Sequence, residues 1–577
     1  MLSKQTFSQL SVFFMMLVLT FLTLPVLHAA DPLLEILDQE LKREMKELNK
    51  QEHSPYYMSY TVVDTTSFQA SASFGALTDS DKSHHRNFAV MVRIGDHTLD
   101  STHEIRGDFM SSYLRRQRSF VPLPLDLNAD ALSATIWKET NKRYNQAVDI
   151  YSKVKANVAV KIEEEDNSAD FSIVSQPEVF EEASLEFDSL LPDPRMLEEK
   201  VKKFSQPFLE NVNIYNARAE VVFYTGRQYI VSSEGTKIVQ NKSIIRLFIT
   251  SVIKSDDGME LPLYKSYSAF TPQELPSDEK ILADVAEMVQ MLETLKNAPV
   301  VEPYSGPVLL SGRAAGVFFH EIFGHRVEGH RLKEEDDSQT FKKKINQKVL
   351  PDHMSVHFDP LLKKYEDIEL MGYYRYDDEG VKAQKVNIIE AGILKNFLMS
   401  RSPLEDFTAS NGHGRAALGY APVARQSNMI ITSTSLLPMD QLRAQLIAEL
   451  KKQEKPFGLR FDDIVGGFTF TGRFIPNAFN VIPTVVYKVY PDGRPDELVR
   501  GVDLVGTPLV MFSNITQAGD EYDVFNGICG AESGGVPVSA VCPALLVTKV
   551  EVQKKFKSQE RPPILPRPDS DSISTND

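Results

Sequence analysis

Three histidines and two glutamates fall between His320 and His330, in a 577-residue chain that has only 12 histidines in all. They follow the small and apolar run Gly316-Val317-Phe318-Phe319, so the cluster reads as a metal site at the end of a buried helix. Zinc accepts imidazole nitrogen and thiolate sulfur, and a catalytic zinc works beside a carboxylate that takes a proton from water. Glu321, next to His320, is the obvious general base. The spacing is His-Glu-x-x-x-His, one residue longer than the His-Glu-x-x-His of familiar zinc proteases. On an ideal helix His320 and His325 would point about 140° apart, which serves a shared ion badly. Gly324 offers the remedy, because the helix can end or bulge there and let His325 turn back. His330 is a further candidate ligand, although Gly329 argues against a continued helix. The alternative for the whole cluster is a buried polar network without metal.

A third ligand could come from Cys529, in the glycine-flanked stretch Asn526-Gly527-Ile528-Cys529-Gly530, which reads as a tight turn. Two histidines, one cysteine and an open position make a sound zinc site. Cys529 could equally be an inert buried thiol, or the disulfide partner of Cys542, the only other cysteine. His353 and His357, at the spacing of a helical pair, are reserve ligands. His84 and His85, in an expected exposed turn from Ser83 to Arg86, read as surface residues.

The elements that must position these groups are legible in part. Val308-Leu309-Leu310 is expected as a short strand feeding the motif helix. Amphipathic spacing predicts helices along Leu34, Leu37, Leu41 and Leu48, over Asp130 to Tyr151 with Trp137 in the core, over Met196 to Leu209, and near Met439 to Gln453. Ser277 caps a further helix with Ile281, Val285, Met288, Leu292 and Leu295 inward. Strands are expected at Tyr56 to Val63, Phe88 to Ile94, Val154 to Ile162, Tyr215 to Tyr224, Tyr229 to Ser233, Ile244 to Val252, Gly466 to Thr471, Phe479 to Tyr490 and Val536 to Val552. Asp503 to Gly506 and Asn526 to Gly535 read as tight turns. The polar stretch Leu332 to Leu361 reads as a solvated excursion or a mobile lid. The fold class is therefore α+β: helices on antiparallel sheet in the N-terminal region, then a strand-rich, barrel-like C-terminal domain.

Residues 1–29 read as a signal peptide, with Lys4 ahead of an apolar run from Leu10 to Leu27 and cleavage after Ala29. The expectation is a periplasmic or secreted protein with no stable span in the mature chain, the alternative being an uncleaved N-terminal anchor. The expected divisions are an N-terminal α+β region over 30–297, the strand-rich C-terminal domain over 298–557 and a disordered tail over 558–577. Composition is ordinary for a globular chain, at 42% hydrophobic and 25% charged residues. A net charge of -16 with no basic domain argues against nonspecific nucleic-acid binding.

Several blocks in order carry a resemblance: Gly316 to Gly329, Asp377-Asp378-Glu379-Gly380, Glu390-Ala391-Gly392-Ile393-Leu394, Asn411-Gly412 ahead of Arg425 and Asn428, Gly466-Gly467, and Gly527-Ile528-Cys529-Gly530 with Pro537. From about Ala298 to Val552 the chain resembles the TldD/PmbA family of metallopeptidases, in particular its catalytic TldD-like members. The resemblance implies zinc held by His320, His325 and Cys529, with Glu321 as general base in peptide hydrolysis. It also implies small or unfolded peptides as substrates and an assembly of two subunits, as a homodimer or with a related partner. His330 stands where TldD-like proteins tend to have an acidic residue. The rival expectation is a non-catalytic peptide-binding or partner subunit that keeps the fold.

Overall fold

The computed structural model describes residues 31–105, 118–159, 168–333, 340–469 and 479–555. The expected signal peptide, the acidic run Glu163 to Asp166 and the expected tail lie outside these residues.

Helix α1 (Pro32–Leu48) starts where the Asp31 carboxylate accepts hydrogen bonds from the backbone N–H groups of Leu33 and Leu34, with Pro32 in the first turn. Its leucine stripe is buried, as the spacing predicts. There follow β1 (Pro55–Ser73), β2 (Ala76–Ile94), α2 (Ala129–Val158), α3 (Arg195–Ser205), β3 (Ile214–Ser232), β4 (Lys237–Lys254), β5 (Glu260–Ala269) and α4 (Asp278–Asn297). The strands form an antiparallel sheet in the order β2-β1-β3-β4-β5. Helices α1 and α2 cover Tyr60, Val62 and Phe88, and α3 and α4 cover Phe223, Ile245 and Leu247. Because strand side chains alternate, Ile245 and Leu247 enter that core while Arg246 and Phe248 face the opposite side, where they line a cavity shared with the C-terminal half.

Three local expectations fail here. Ser83 to Arg86 is not a turn; it lies inside β2, paired with Ser67 to Asp64 of β1, because a long ladder satisfies the backbone whatever the side-chain polarity. His84 and His85 are nonetheless exposed. Residues 154–158 are the last turns of α2 rather than a strand, and Val154 continues the buried stripe of Leu132, Ile136, Tyr144 and Ala147. Trp137, one residue round the helix from Ile136, points to solvent with 55% of its surface exposed.

The second half opens with β6 (Tyr304–Leu310) and helix α5 (Gly312–Ile322), then β7 (Met354–Phe358), β8 (Val386–Glu390), β9 (Asn428–Ser433), α6 (Met439–Lys452), β10 (Gly458–Thr469), β11 (Phe479–Val489), β12 (Val502–Gly506), β13 (Ile515–Ala531) and β14 (Gly534–Lys554). Strand β6 pairs with β10, β10 with β11, β11 with β12, β12 with β14, and β14 returns to β6, so the ring closes as a barrel. The long β14 also carries β13 on one flank and β9 on the other, and β9 leads on to β7 and β8. Helix α5 is buried along nearly its whole circumference, which matches its apolar, small-residue sequence. Gly316 lets it approach β14 closely, since a Cβ there would sit 3.3 Å from Ala540.

The excursion expected from Leu332 to Leu361 is corrected in its described parts. Phe341 and Leu350 are buried, and β7 lies between β8 and β9 with Met354, Val356 and Phe358 inward. Those three alternate with Ser355 and His357, a strand pattern hidden in a polar stretch. Asp503 to Gly506 and Asn526 to Ala531 are likewise strand, not turn. The β13–β14 hairpin turns at Glu532-Ser533, where Gly534 takes a φ of 80°.

Candidate metal centre

Helix α5 is capped by Ser311, whose hydroxyl accepts from the Ala314 N–H and donates to the Asp462 carbonyl of β10. It stops at Ile322, Phe323 leaves helical geometry, and Gly324–Arg326 form a single 3₁₀ turn. The expected break at Gly324 is thus present, and it brings the His320 and His325 rings to 4.9 Å between centroids. A Cβ at Gly324 would lie 2.0 Å from the Gln426 side-chain oxygen, so a larger residue there would displace the end of that side chain. The helix end is closed by Arg326, which donates to the Glu321 carbonyl at 2.6 Å and to the Thr469 hydroxyl at 2.8 Å.

Strand β13 delivers Cys529, whose sulfur lies 3.4 Å from His325 Nε2. One donor atom from each of His320, His325 and Cys529 falls within 4.8 Å of the others, and all three residues are buried. Cys542 cannot compete as a disulfide partner. Cys529 pairs with Val536, six positions along β14 from Cys542, a separation of about 20 Å. Both cysteines are free thiols.

The set of donors suits zinc on its own geometry. His325 Nδ1 is held 3.2 Å from a Glu328 carboxylate oxygen, which directs Nε2 toward the sulfur, as metal-binding imidazoles are commonly oriented. Burial alone would push the Cys529 thiol up, but the adjacent His325 and His320 rings hold it well below the ordinary thiol range. Burial would lower His325, and Cys529 and Glu328 outweigh that and raise it. Burial raises the Glu321 carboxyl against the pull of His320 and His325. Its side chain passes over Gly467, where a Cβ would lie 2.8 Å from Glu321 Cγ. Irregular register in β10 just before Gly466 and Gly467 shapes that crossing.

Charges that the motif did not advertise surround the cluster. Arg425, wholly buried, donates to the Cys529 carbonyl at 2.7 Å and sulfur at 3.2 Å, and lies 3.3 Å from Glu328. Arg331 binds Glu328 at 2.9 Å and Glu532 at 3.0 Å. His330 is turned to Glu532 and so joins a second group, Glu328, His330 and Glu532, rather than the His320 cluster. Asn428 is structural: its amide donates to the carbonyls of Asp359 and Leu362. The reserve ligands also fall elsewhere, His357 on strand β7 and His353 in the turn just before it. His353 contacts Ser433, and burial with Lys385 nearby pushes His357 down to about 4. His320, Glu321, His325 and Cys529 line one cavity of about 480 Å³, together with Arg246 and Phe248 from β4.

Residues 303–554 match the PmbA/TldA metallopeptidase C-terminal domain. The chain is 33% identical over 264 residues to a metalloprotease of Archaeoglobus fulgidus, a match covering 45% of this chain and 56% of that protein. It is 26% identical over 336 residues to the metalloprotease TldD homolog of Haemophilus influenzae, covering 56% and 64%. The match thus spans little more than half the length of the archaeal relative. In three dimensions the chain shares the fold of TldE from Thermococcus kodakarensis, with a TM-score of 0.59, 13% identity, and coverage of 89% of this chain and 100% of that one. The C-terminal half of the chain, residues 303–554, is thus similar to the PmbA/TldD metallopeptidases.

Proposed function

We propose that the protein is a zinc-dependent peptidase acting on small or unfolded peptides, with His320, His325 and Cys529 as ligands and Glu321 as general base. The observation that carries this reading is the convergence of two imidazoles and a thiol within 4.8 Å on the wall of the cavity that also holds Glu321. A zinc ion bound there supplies polarisation of a peptide carbonyl and a lowered pKa for water. Glu321 takes the proton of the attacking water and returns it to the departing amine. Glu328 orients His325 through Nδ1, and Arg425 steadies the thiolate. The reading includes a two-subunit assembly and action outside the cytoplasm, to be checked by light scattering and cell fractionation.

The deciding experiment compares the wild-type chain with Glu321→Gln by elemental analysis and by mass-spectrometric cleavage of a peptide library. Both proteins should hold about one zinc per chain, and the variant should lose about 10²- to 10⁴-fold in kcat. Undiminished cleavage by the variant removes Glu321 from the reaction, and wild-type protein that binds zinc but cleaves nothing points to a peptide-binding subunit.

A further inference from the structure

Among the described residues two arginines line the cavity, Arg246 and Arg331. Arg331 is already bound to Glu328 and Glu532. Arg246 is different: among the described residues no carboxylate lies within ion-pair distance of it, and only Tyr224 offsets the loss of hydration that lowers its pKa. Its guanidinium carbon lies 4.6 Å from the centre of the Phe248 ring, which also lines the cavity. A cation partly withdrawn from water without a counter-ion is costly, and an anionic ligand recovers that cost.

The wall that carries Arg246 is anchored to the barrel. On β5, Ser268 lies opposite Arg246, and Tyr264 further along the same face donates its hydroxyl to the Ile464 carbonyl of β10 at 2.8 Å. Arg313 of helix α5 donates to that Tyr264 oxygen at 2.7 Å. The position of Arg246 is therefore tied to the helix that carries His320 and to the strand that carries Gly467. A planar guanidinium supported by an aromatic ring presents a fork that suits a carboxylate.

We propose that Arg246 binds a carboxylate of the peptide substrate, from its C-terminus or from an acidic side chain. This rests on the peptidase reading and adds the substrate feature that the N-terminal sheet selects. The cavity then recognises charge with one half of the chain and carries out chemistry with the other.

The test is fluorescence anisotropy on the intact chain carrying Glu321→Gln, with zinc-stripped wild-type protein as a second binding form. Three labelled peptide mixtures are compared: one free of Asp and Glu with a C-terminal carboxylate, the same mixture as carboxamides, and carboxamides with a single internal glutamate. One carboxylate-bearing mixture should bind about tenfold or more tightly than the neutral one, and its identity names the source of the carboxylate. Arg246→Gln should erase that preference and Arg246→Lys should keep part of it, with zinc content unchanged in both. A missing preference, or one that survives Arg246→Gln, overturns the proposal. So does a change of oligomeric state in Arg246→Gln with peptide preference intact, which would assign the guanidinium to a second copy of the chain. Failure of the peptidase reading looks different: wild-type protein leaves every mixture uncleaved, whatever Arg246 does to binding.

Discussion

Two groups of three potential ligands lie within one motif and its facing hairpin: His320, His325 and Cys529, and beside them Glu328, His330 and Glu532, each set with donor atoms within 4.8 Å. Counted by donors they are equals. They differ in counter-charge. In the second group Glu328 meets Arg331 and Arg425, and Glu532 meets Arg331, so each carboxylate already has a guanidinium beside it. Burial would raise the Glu328 carboxyl, yet His325 and the arginines hold it far below the usual range. In the first group of two imidazoles and a thiol, the guanidinium contact among the described residues is that of Arg425 at the sulfur. The lesson is that proximity of donors marks a candidate, while the cations already present decide whether an ion is still wanted.

The comparison breaks first at the ligands. His320→Ala or Cys529→Ala should take zinc from about one per chain to little or none and abolish cleavage. Full zinc in either variant, by elemental analysis, would mean the second group holds the ion. A smaller effect concerns the two thiols. In zinc-stripped protein Cys529, which lines the cavity among imidazoles, should be alkylated by iodoacetamide at pH values where an ordinary thiol is slow. Its thiolate persists as pH falls because its pKa is lowered. Burial pushes Cys542 up instead, and that residue should stay unmodified until the chain unfolds. Added zinc should protect Cys529, read by peptide mass mapping.

Next in size is Glu328→Gln, which should weaken zinc binding about 10- to 100-fold by removing the carboxylate that orients His325. Its signature is a fall in affinity with stoichiometry kept at saturating zinc, measured by competition with a chelator. The same variant should lower stability, because Arg331 and Arg425 lose a buried partner. Glu328 stays ionised throughout the neutral range, so its contribution should be level there and fade only as pH falls below the ordinary carboxylate range.

Helices were legible wherever apolar spacing is a local property. Leu34 to Leu48 and Ile281 to Leu295 bury the faces expected of them. The motif was legible for the same reason, with Gly324 placed where the geometry needed a break. What could not be read locally was pairing. Ser83 to Arg86 and Asn526 to Ala531 look like turns until β1 and β14 supply their ladders, and Met354 to Phe358 looks solvated until β8 and β9 flank it. The charges around the centre show the same limit. Arg425 reaches Cys529 across 104 positions of sequence and Glu532 reaches Arg331 across 201, so no window of sequence contains both partners. Glu328 stood inside the motif and Arg331 one residue past it, and their three-residue spacing was a local clue.

The smallest effect is expected at Glu532, and it tests the comparison most finely. Glu532 sits in the turn between β13 and β14, three residues beyond Cys529, and contacts His330 and Arg331 but none of the three proposed ligands. Glu532→Gln keeps the shape and one acceptor oxygen while removing the charge. Glu328 remains to hold Arg331, so zinc stoichiometry should be unchanged and affinity should move by less than about threefold, below what a partner directly orienting a ligand commands. If affinity instead fell as far as in Glu328→Gln, the two groups would act as one extended site, and His330 would have to be counted among the residues that shape it.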